Sequence, residues 1–226
     1  MKRQGLSFYD LANPKWFHSD PTRAWGFYGH RRNLYRETLP HEGFQTLLEW
    51  GNEKPGGCFV FTSNVDGHFQ AAGFGADRVV ECHGAINLVQ CAEPCSRKIW
   101  QAGDDEIDVD LESFRAEGDL PACVVCGEMA RPNILMFGDS DWVEDATEEQ
   151  YERFSKWLQE VSSLNLAVIE IGAGTAVPTV RYQCERRASR AGATLIRINP
   201  RESQGSNAIS IPMGALEALD EIKQQL

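Results

Sequence analysis

The sequence has no excess of positive charge: 22 Lys and Arg stand against 33 Asp and Glu, a formal net charge of -11 over 226 residues. Surfaces that bind phosphate rely on clustered Lys and Arg, so this balance excludes nucleic acid and anionic membrane as the main partner. No stretch approaches the run of about 20 apolar residues that a bilayer span requires, and Met1 to Asp10 lacks a signal-peptide apolar core. A cytoplasmic protein without membrane contact is expected. Internal repeats and low-complexity tracts are absent too, which excludes a repeat array. What is present, 42% hydrophobic and 24% charged residues, is an ordinary globular composition. A chain of this length buries roughly 70% of its unfolded surface, enough for one main domain and something smaller.

The seven cysteines are an odd number, so they cannot all pair, and four of them form two close pairs, Cys91/Cys95 and Cys123/Cys126, with 27 residues between the pairs. In a reducing compartment that pattern points to metal before disulfides. Four thiolates in a tetrahedron suit one structural zinc, and a closed ligand shell leaves no position for a catalytic water. Unrelated thiols or a redox pair are the alternative. The first pair has three residues between its cysteines where two is commoner, with Pro94 shaping the longer turn. Cys58, Cys82 and Cys184 read as packing residues on strands or a helix.

From Gly5 to Trp50 the chain is aromatic-rich, and the spacing of Trp25, Tyr28, Arg32 and Tyr35 predicts helix, entered through Ser19-Asp20-Pro21 as cap and starting proline. Two or three helices are expected there. Lys54-Pro55-Gly56-Gly57 breaks the chain before the apolar run Cys58 to Thr62, a strand buried on both faces. Further strands are expected at Arg78 to Cys82, Leu166 to Ile171, Thr194 to Ile198 and Ala208 to Ile211, and Ile134 to Phe137 is apolar. Helices are expected at Phe69 to Ala72, Thr147 to Ser163, Pro178 to Ala191 and Gly214 to Gln225. Strands alternating with helices of this length predict an α/β fold with a parallel sheet.

Polar residues cluster just past several strands, where open α/β sheets bind ligands. Ser63, Asn64 and Asp66 are placed to hold a small amide or ribose, or else to form an Asx turn that caps the next helix. His83 is suited to general-base work near neutral pH, with Gly84 letting a ligand approach the backbone; a purely structural histidine is the alternative. Gly172-Ala173-Gly174 follows a strand and opens a helix, presenting N–H groups to an anion, and Asn199 ends the next strand as a ribose ligand or a turn former.

Taken in order, Thr62-Ser63-Asn64-Val65-Asp66-Gly67, Cys82-His83-Gly84, the two cysteine pairs, Arg131 to Gly138, Gly172-Ala173-Gly174 and Ile198-Asn199-Pro200 resemble the sirtuin family of NAD-dependent protein deacylases. The resemblance runs from about Phe59 to the C-terminus. It implies a Rossmann-like NAD-binding domain (58–90 and 134–226), a zinc module (91–133) and a helical cofactor-loop segment (1–57). It also implies an acyl-lysine peptide as substrate and nicotinamide, free lysine and O-acyl-ADP-ribose as products. By this analogy Ser63, Asn64 and Asp66 line the nicotinamide pocket and His83 is the base. Ile134, Leu135, Phe137 and Gly138 pair with the substrate backbone, with Phe137 near the acyl chain, and Gly172, Ala173, Gly174 and Asn199 contact the phosphates and adenosine ribose.

The chain departs from the family pattern by lacking a first strand with its Gly-Ala-Gly-x-Ser turn and a Gly-Ile-Pro-Asp-Phe-Arg segment; Ser63 replaces the usual glutamine, and His68-Phe69 replaces Leu-His. A piece of a longer protein is therefore expected, with Gly5-Leu6 reading as the middle of the cofactor loop; the alternative is a shortened form with weakened NAD binding. A non-catalytic zinc-containing peptide-binding module and a protein ADP-ribosyltransferase are the other functions the pattern allows.

Overall fold

The computed structural model describes residues 7–225. Gly5 and Leu6 lie outside them. In chain order the helices are α1 (Phe8–Leu11), α2 (Trp16–Ser19), α3 (Pro21–Glu37), α4 (Glu42–Asn52), α5 (His68–Ala71), α6 (Asp145–Glu160), α7 (Thr179–Ala188) and α8 (Ala215–Lys223). The strands are β1 (Val60–Thr62), β2 (Val79–Glu81), β3 (Gly84–Cys91), β4 (Ile99–Gln101), β5 (Val109–Asp110), β6 (Arg115–Ala116), β7 (Ala130–Ile134), β8 (Leu166–Ile171), β9 (Ala193–Ile198) and β10 (Ala208–Ile211). No helix among the described residues is long and apolar enough to cross a membrane. The chain forms two compact units, one comprising residues up to Leu39 with Asn64–His68 and Glu81–Tyr151, the other Pro40–Ser63, Phe69–Val80 and the remainder from Glu152.

The first unit is organised around α3. Asp20 caps it, its carboxylate accepting the Arg23 N–H at 3.4 Å, and Pro21 starts it with φ preset and no N–H to satisfy. Arg115 donates to both oxygens of the same carboxylate, at 2.6 and 2.8 Å, and so ties the cap to β6. Burial of Ala24, Trp25, Phe27 and Tyr28 on α3 creates a core with Phe17, Val65, Ile86, Val89, Ile134 and Met136. The buried indole of Trp25 donates to the Ala130 carbonyl at 3.1 Å, as a buried polar group must find a partner. A Cβ on Gly26 would lie 2.3 Å from the Phe114 carbonyl oxygen, so the helix backbone rests directly on the β5–β6 hairpin.

The sheet of this unit is antiparallel, in the order β4-β3-β7. This differs from the sequence expectation, which placed no strand at Gly84–Cys91. β3 carries an irregularity between Ala85 and Val89 and buries residues on both faces, so neither strict alternation nor a bounding turn announces it. The apolar run from Ile134 is also shorter as a strand than its composition suggests, because β7 stops at Ile134.

The second unit holds the parallel sheet, in the order β10-β9-β8, with β8 and β9 in register from Leu166↔Ala193 to Ile171↔Ile198. Here the expected strand limits agree with the structure to within one residue. Ile198, Ala218 and Leu219 are buried with Leu47, Trp50, Ile169 and Ile211 packed around them, Ile198 and Leu219 each contributing about 1.5–3 kcal/mol. A second group stacks Phe59, Phe154 and Trp157, whose indole donates to the Gly56 carbonyl at 2.8 Å. Cys58 and Cys184 are half-buried and Cys82 is buried.

Candidate active site and metal centre

Cys91 ends β3, Cys95 lies in the turn after it, and Cys123 and Cys126 flank a tight knuckle closed by Gly127 at φ 80°. The Gly127 N–H donates to the Cys123 carbonyl at 2.9 Å, and the Val125 N–H points at the Cys123 sulfur, 3.4 Å away. The four Sγ atoms all lie within 4.8 Å of one another, with Cys91–Cys126 and Cys95–Cys123 both at 3.7 Å. A tetrahedron with zinc–sulfur bonds of about 2.3 Å has edges of about 3.8 Å, so two of the six edges are already at the spacing zinc imposes and the others lie within 4.8 Å.

Proton sharing divides the set. Burial pushes the Cys123 thiol up, but the Cys126 and Val125 N–H groups and the neighbouring sulfurs outweigh it and bring it down to about 6. The Cys126 thiol and burial push Cys95 up to about 12. A soft divalent cation would displace the protons that remain on these sulfurs as it binds.

His83 occupies a two-residue turn, Cys82–His83, between β2 and β3, and is half-buried. The Ile86 N–H donates to the Val65 carbonyl at 2.9 Å, so the Asn64–Asp66 segment runs along the start of β3, close in the chain to His83. Asn64 is exposed and Asp66 half-buried. One Asp66 oxygen accepts the His68 N–H at 3.0 Å, the Asx-turn role weighed from sequence, and the other lies 3.8 Å from the His68 ring. His68 Nε2 is 3.1 Å from the Tyr35 carbonyl oxygen, which fixes that ring as part of the scaffold. Gly84 has a different reason from the one expected. At φ 75° its missing Cβ would lie 2.0 Å from the Asn133 carbonyl oxygen, so the backbone that approaches it is β7, not a ligand.

Beyond β7 the chain turns through Leu135, Met136, Phe137 and Gly138. Ile134 is buried, Leu135 and Gly138 are exposed and Phe137 is half-buried. Phe137 lies against Tyr9 with ring centroids 4.3 Å apart and planes tilted by 35°, and meets Phe8 edge-on at 6.4 Å, which makes an aromatic wall that sequence reasoning missed. Phe8 and Tyr9 were visible only as part of an aromatic-rich stretch. The N–H groups of Leu135 and Phe137 donate to the carbonyls of His83 and Ala12, both at 3.0 Å.

In the second unit, Gly172 follows β8 at φ 67°, with nothing within 4 Å of the position a Cβ would take; only the Glu202 carboxylate, at 3.8 Å, comes that near Gly174. The loop therefore has an open face after β8, but it does not open a helix as expected, because residues 175–178 separate it from α7. The Ala173 carbonyl accepts from Asn199 Nδ2 at 3.2 Å and Arg181 Nη2 at 3.0 Å, and the Thr175 N–H donates to Glu202 at 2.8 Å. Asn199 Oδ1 accepts the N–H groups of Arg201 and Glu202, so this side chain shapes the loop as well as ending β9. Ser63 follows β1 and is half-buried.

A family model described as "Sir2 family" matches residues 4–177, well over half of the chain. The chain belongs to the Sir2 family. An "NAD-dependent protein deacylase" of Aquifex aeolicus (strain VF5) is 30% identical over 195 residues, covering 86% of this chain and 71% of the relative. One of Leptospira interrogans serogroup Icterohaemorrhagiae serovar Lai, with the same description, is 29% identical over 205 residues, covering 89% and 73%. Among solved structures, a Sir2 homologue–NAD complex superposes with a TM-score of 0.68 at 23% identity, over 96% of this chain and 76% of that one. Sir2Tm bound to a propionylated peptide gives 0.69 at 24%, over 99% and 88%. Those likenesses establish a Sir2 fold, and the sulfur geometry fits its one structural zinc.

This Sir2 chain also carries charged residues that the motif reading passed over. Glu170 and Arg197 are direct partners in the β8–β9 register, both buried, joined by bonds of 2.7 and 2.9 Å. A signal existed: each is a lone charge inside an apolar strand, which is tolerated only when paired.

Proposed function

We propose that the chain is an NAD-dependent protein-lysine deacylase of the Sir2 family. The observation that carries the reading is the Val65–Ile86 hydrogen bond, which draws Asn64 and Asp66 alongside the strand that His83 opens, in a chain whose relatives are named NAD-dependent protein deacylases. Bound NAD would supply an electrophilic ribose carbon with nicotinamide as its leaving group, open to attack by an acyl-lysine amide oxygen. Gly172, Ala173, Gly174 and Asn199 hold its phosphates and adenosine ribose; the open face at Gly172, which a Cβ would fill, supports this. Ser63, Asn64 and Asp66 hold the nicotinamide end, Asn64 by both donor and acceptor.

His83 is the general base: a neutral imidazole takes the proton of a ribose hydroxyl at a ring nitrogen, an effect worth about 10²–10⁴-fold in rate. Ile134, Leu135, Phe137 and Gly138 receive the peptide, and the Phe137–Tyr9–Phe8 wall excludes water around the acyl chain. The four cysteines hold zinc for folding and take no part in the chemistry. Thiolate ligands need a reducing compartment, which supports a cytoplasmic location.

The test is mass spectrometry of an acetyl- or propionyl-lysine peptide incubated with NAD and the zinc-loaded chain, with His83→Ala alongside. The expected result is NAD-dependent loss of the acyl group and appearance of O-acyl-ADP-ribose, abolished by the substitution. An unchanged peptide would contradict the reading; ADP-ribose attached to a protein acceptor would replace it with group transfer.

A further inference from the structure

The turn that follows β7 is held by a charge pair from which solvent is excluded. Arg131 and Asp139 form a two-pronged ion pair, Nη1 to Oδ2 at 2.8 Å and Nη2 to Oδ1 at 3.0 Å, and neither side chain has any exposed surface. The same carboxylate accepts the Met136 N–H on Oδ2 and the Asp141 N–H on Oδ1, both at 3.2 Å. Four donors thus converge on two oxygens, and the short loop they close is Leu135 to Gly138.

Burying two full charges costs several kcal/mol each unless geometry is near ideal, and an apolar pair would serve packing as well. A buried pair is best explained where it fixes a specific conformation. Here it fixes the turn between two points of consequence. The Leu135 N–H donates to the carbonyl of His83 itself, and the Phe137 N–H donates to Ala12, at the end of α1 and its aromatic pair Phe8 and Tyr9. With the Met136 N–H on Asp139, all three consecutive N–H groups of Leu135, Met136 and Phe137 are engaged inside the chain. The peptide backbone therefore cannot pair with these three N–H groups, which leaves the carbonyls, the side chains and the Gly138 end of the turn to receive it.

We infer that Arg131 and Asp139 are positioning residues, holding the Leu135–Gly138 turn against His83 so that acyl-lysine is presented in register with the base. This rests on the deacylase reading and names a control of its substrate affinity. Neither residue touches the reacting atoms. Asp139→Asn keeps the shape and removes the charge; its KM for acyl-peptide is expected to rise about tenfold while KM for NAD stays within about twofold. Asp139→Glu, which keeps the carboxylate, is expected to remain within about threefold of the parent chain.

Steady-state kinetics on variants with full zinc content and parent-like circular dichroism decide it. Wild-type KM for peptide in Asp139→Asn, or parallel rises for peptide and NAD, would overturn the inference while leaving the deacylase reading intact. If Asp139→Asn does not fold, Arg131→Lys is judged by the same criteria. Amide exchange on the unmodified chain needs no variant: the Met136 N–H is expected to be as protected as β7, and rapid exchange would overturn the clamp. An unmodified chain that shows neither turnover nor acyl-peptide binding would overturn the deacylase reading, and this inference with it.

Discussion

At the scale of single residues, the strongest electrostatic commitment in the parallel sheet is Glu170 facing Arg197. Besides its two bonds to Glu170, Arg197 donates to Glu185 at 2.8 Å and to the Gln204 carbonyl at 3.0 Å. Removing the Glu170 charge leaves Arg197 with the exposed Glu185 as its counter-charge. Glu170→Gln is expected to lower unfolding free energy by about 1.5–3 kcal/mol, read as a fall in the urea midpoint at unchanged slope. A loss under about 1 kcal/mol would mean that water reaches the pair. The strand-end positions of His83 and Asn64 were legible in the sequence because polar residues stood directly after apolar runs. Asp139 was not, since its partner lies eight residues back on a strand and nothing in the local sequence marks its side chain as buried.

At the scale of elements, α3 depends on its cap. The Arg115 guanidinium, and to a smaller degree the Thr22 hydroxyl and Arg23 N–H, hold the Asp20 carboxyl below its usual range despite partial burial. A depressed folded pKa gives stability that is complete above the unfolded value of about 3.9 and disappears as pH falls through the folded one. Asp20→Asn keeps the capping oxygen and removes the charge. Its deficit against the parent chain is expected to be constant from pH 7 to about 5 and to shrink below about 4; a deficit that grows with acid would reverse the assignment.

The metal module makes the second prediction at this scale. The segment between Cys91 and Ala130 has only two-residue and three-residue strands, and Val124 and Val125 at the knuckle are more than half exposed, so the knuckles themselves have little apolar burial to hold them without metal. Cys126→Ala is expected to reduce bound zinc from about one per chain to near zero and to speed amide exchange around the two knuckles, residues 92–97 and 121–129, with β8–β10 unaffected. Full protection without zinc would contradict a structural role. The cysteine spacing made this centre legible, and β8, β9 and β10 were legible as short apolar runs bounded by turns. β3 was not, because its irregular register and burial on both faces erase the alternation that identifies a strand.

At the scale of the whole molecule, fold class followed from alternating strands and helices, and family from six motifs in fixed order, none decisive alone. Each unit carries residues of the proposed chemistry: His83 and the Leu135–Gly138 turn lie in one, the open loop after β8 in the other. The claim that unites them is that nicotinamide is released only when an acyl-lysine amide attacks. The most direct measurement is the ratio of nicotinamide released to lysine deacylated, over a range of acyl-peptide concentrations with NAD in excess. A ratio of about one throughout, with release vanishing when peptide is omitted, is the predicted result. Nicotinamide release independent of peptide, or none at any peptide concentration, would contradict it.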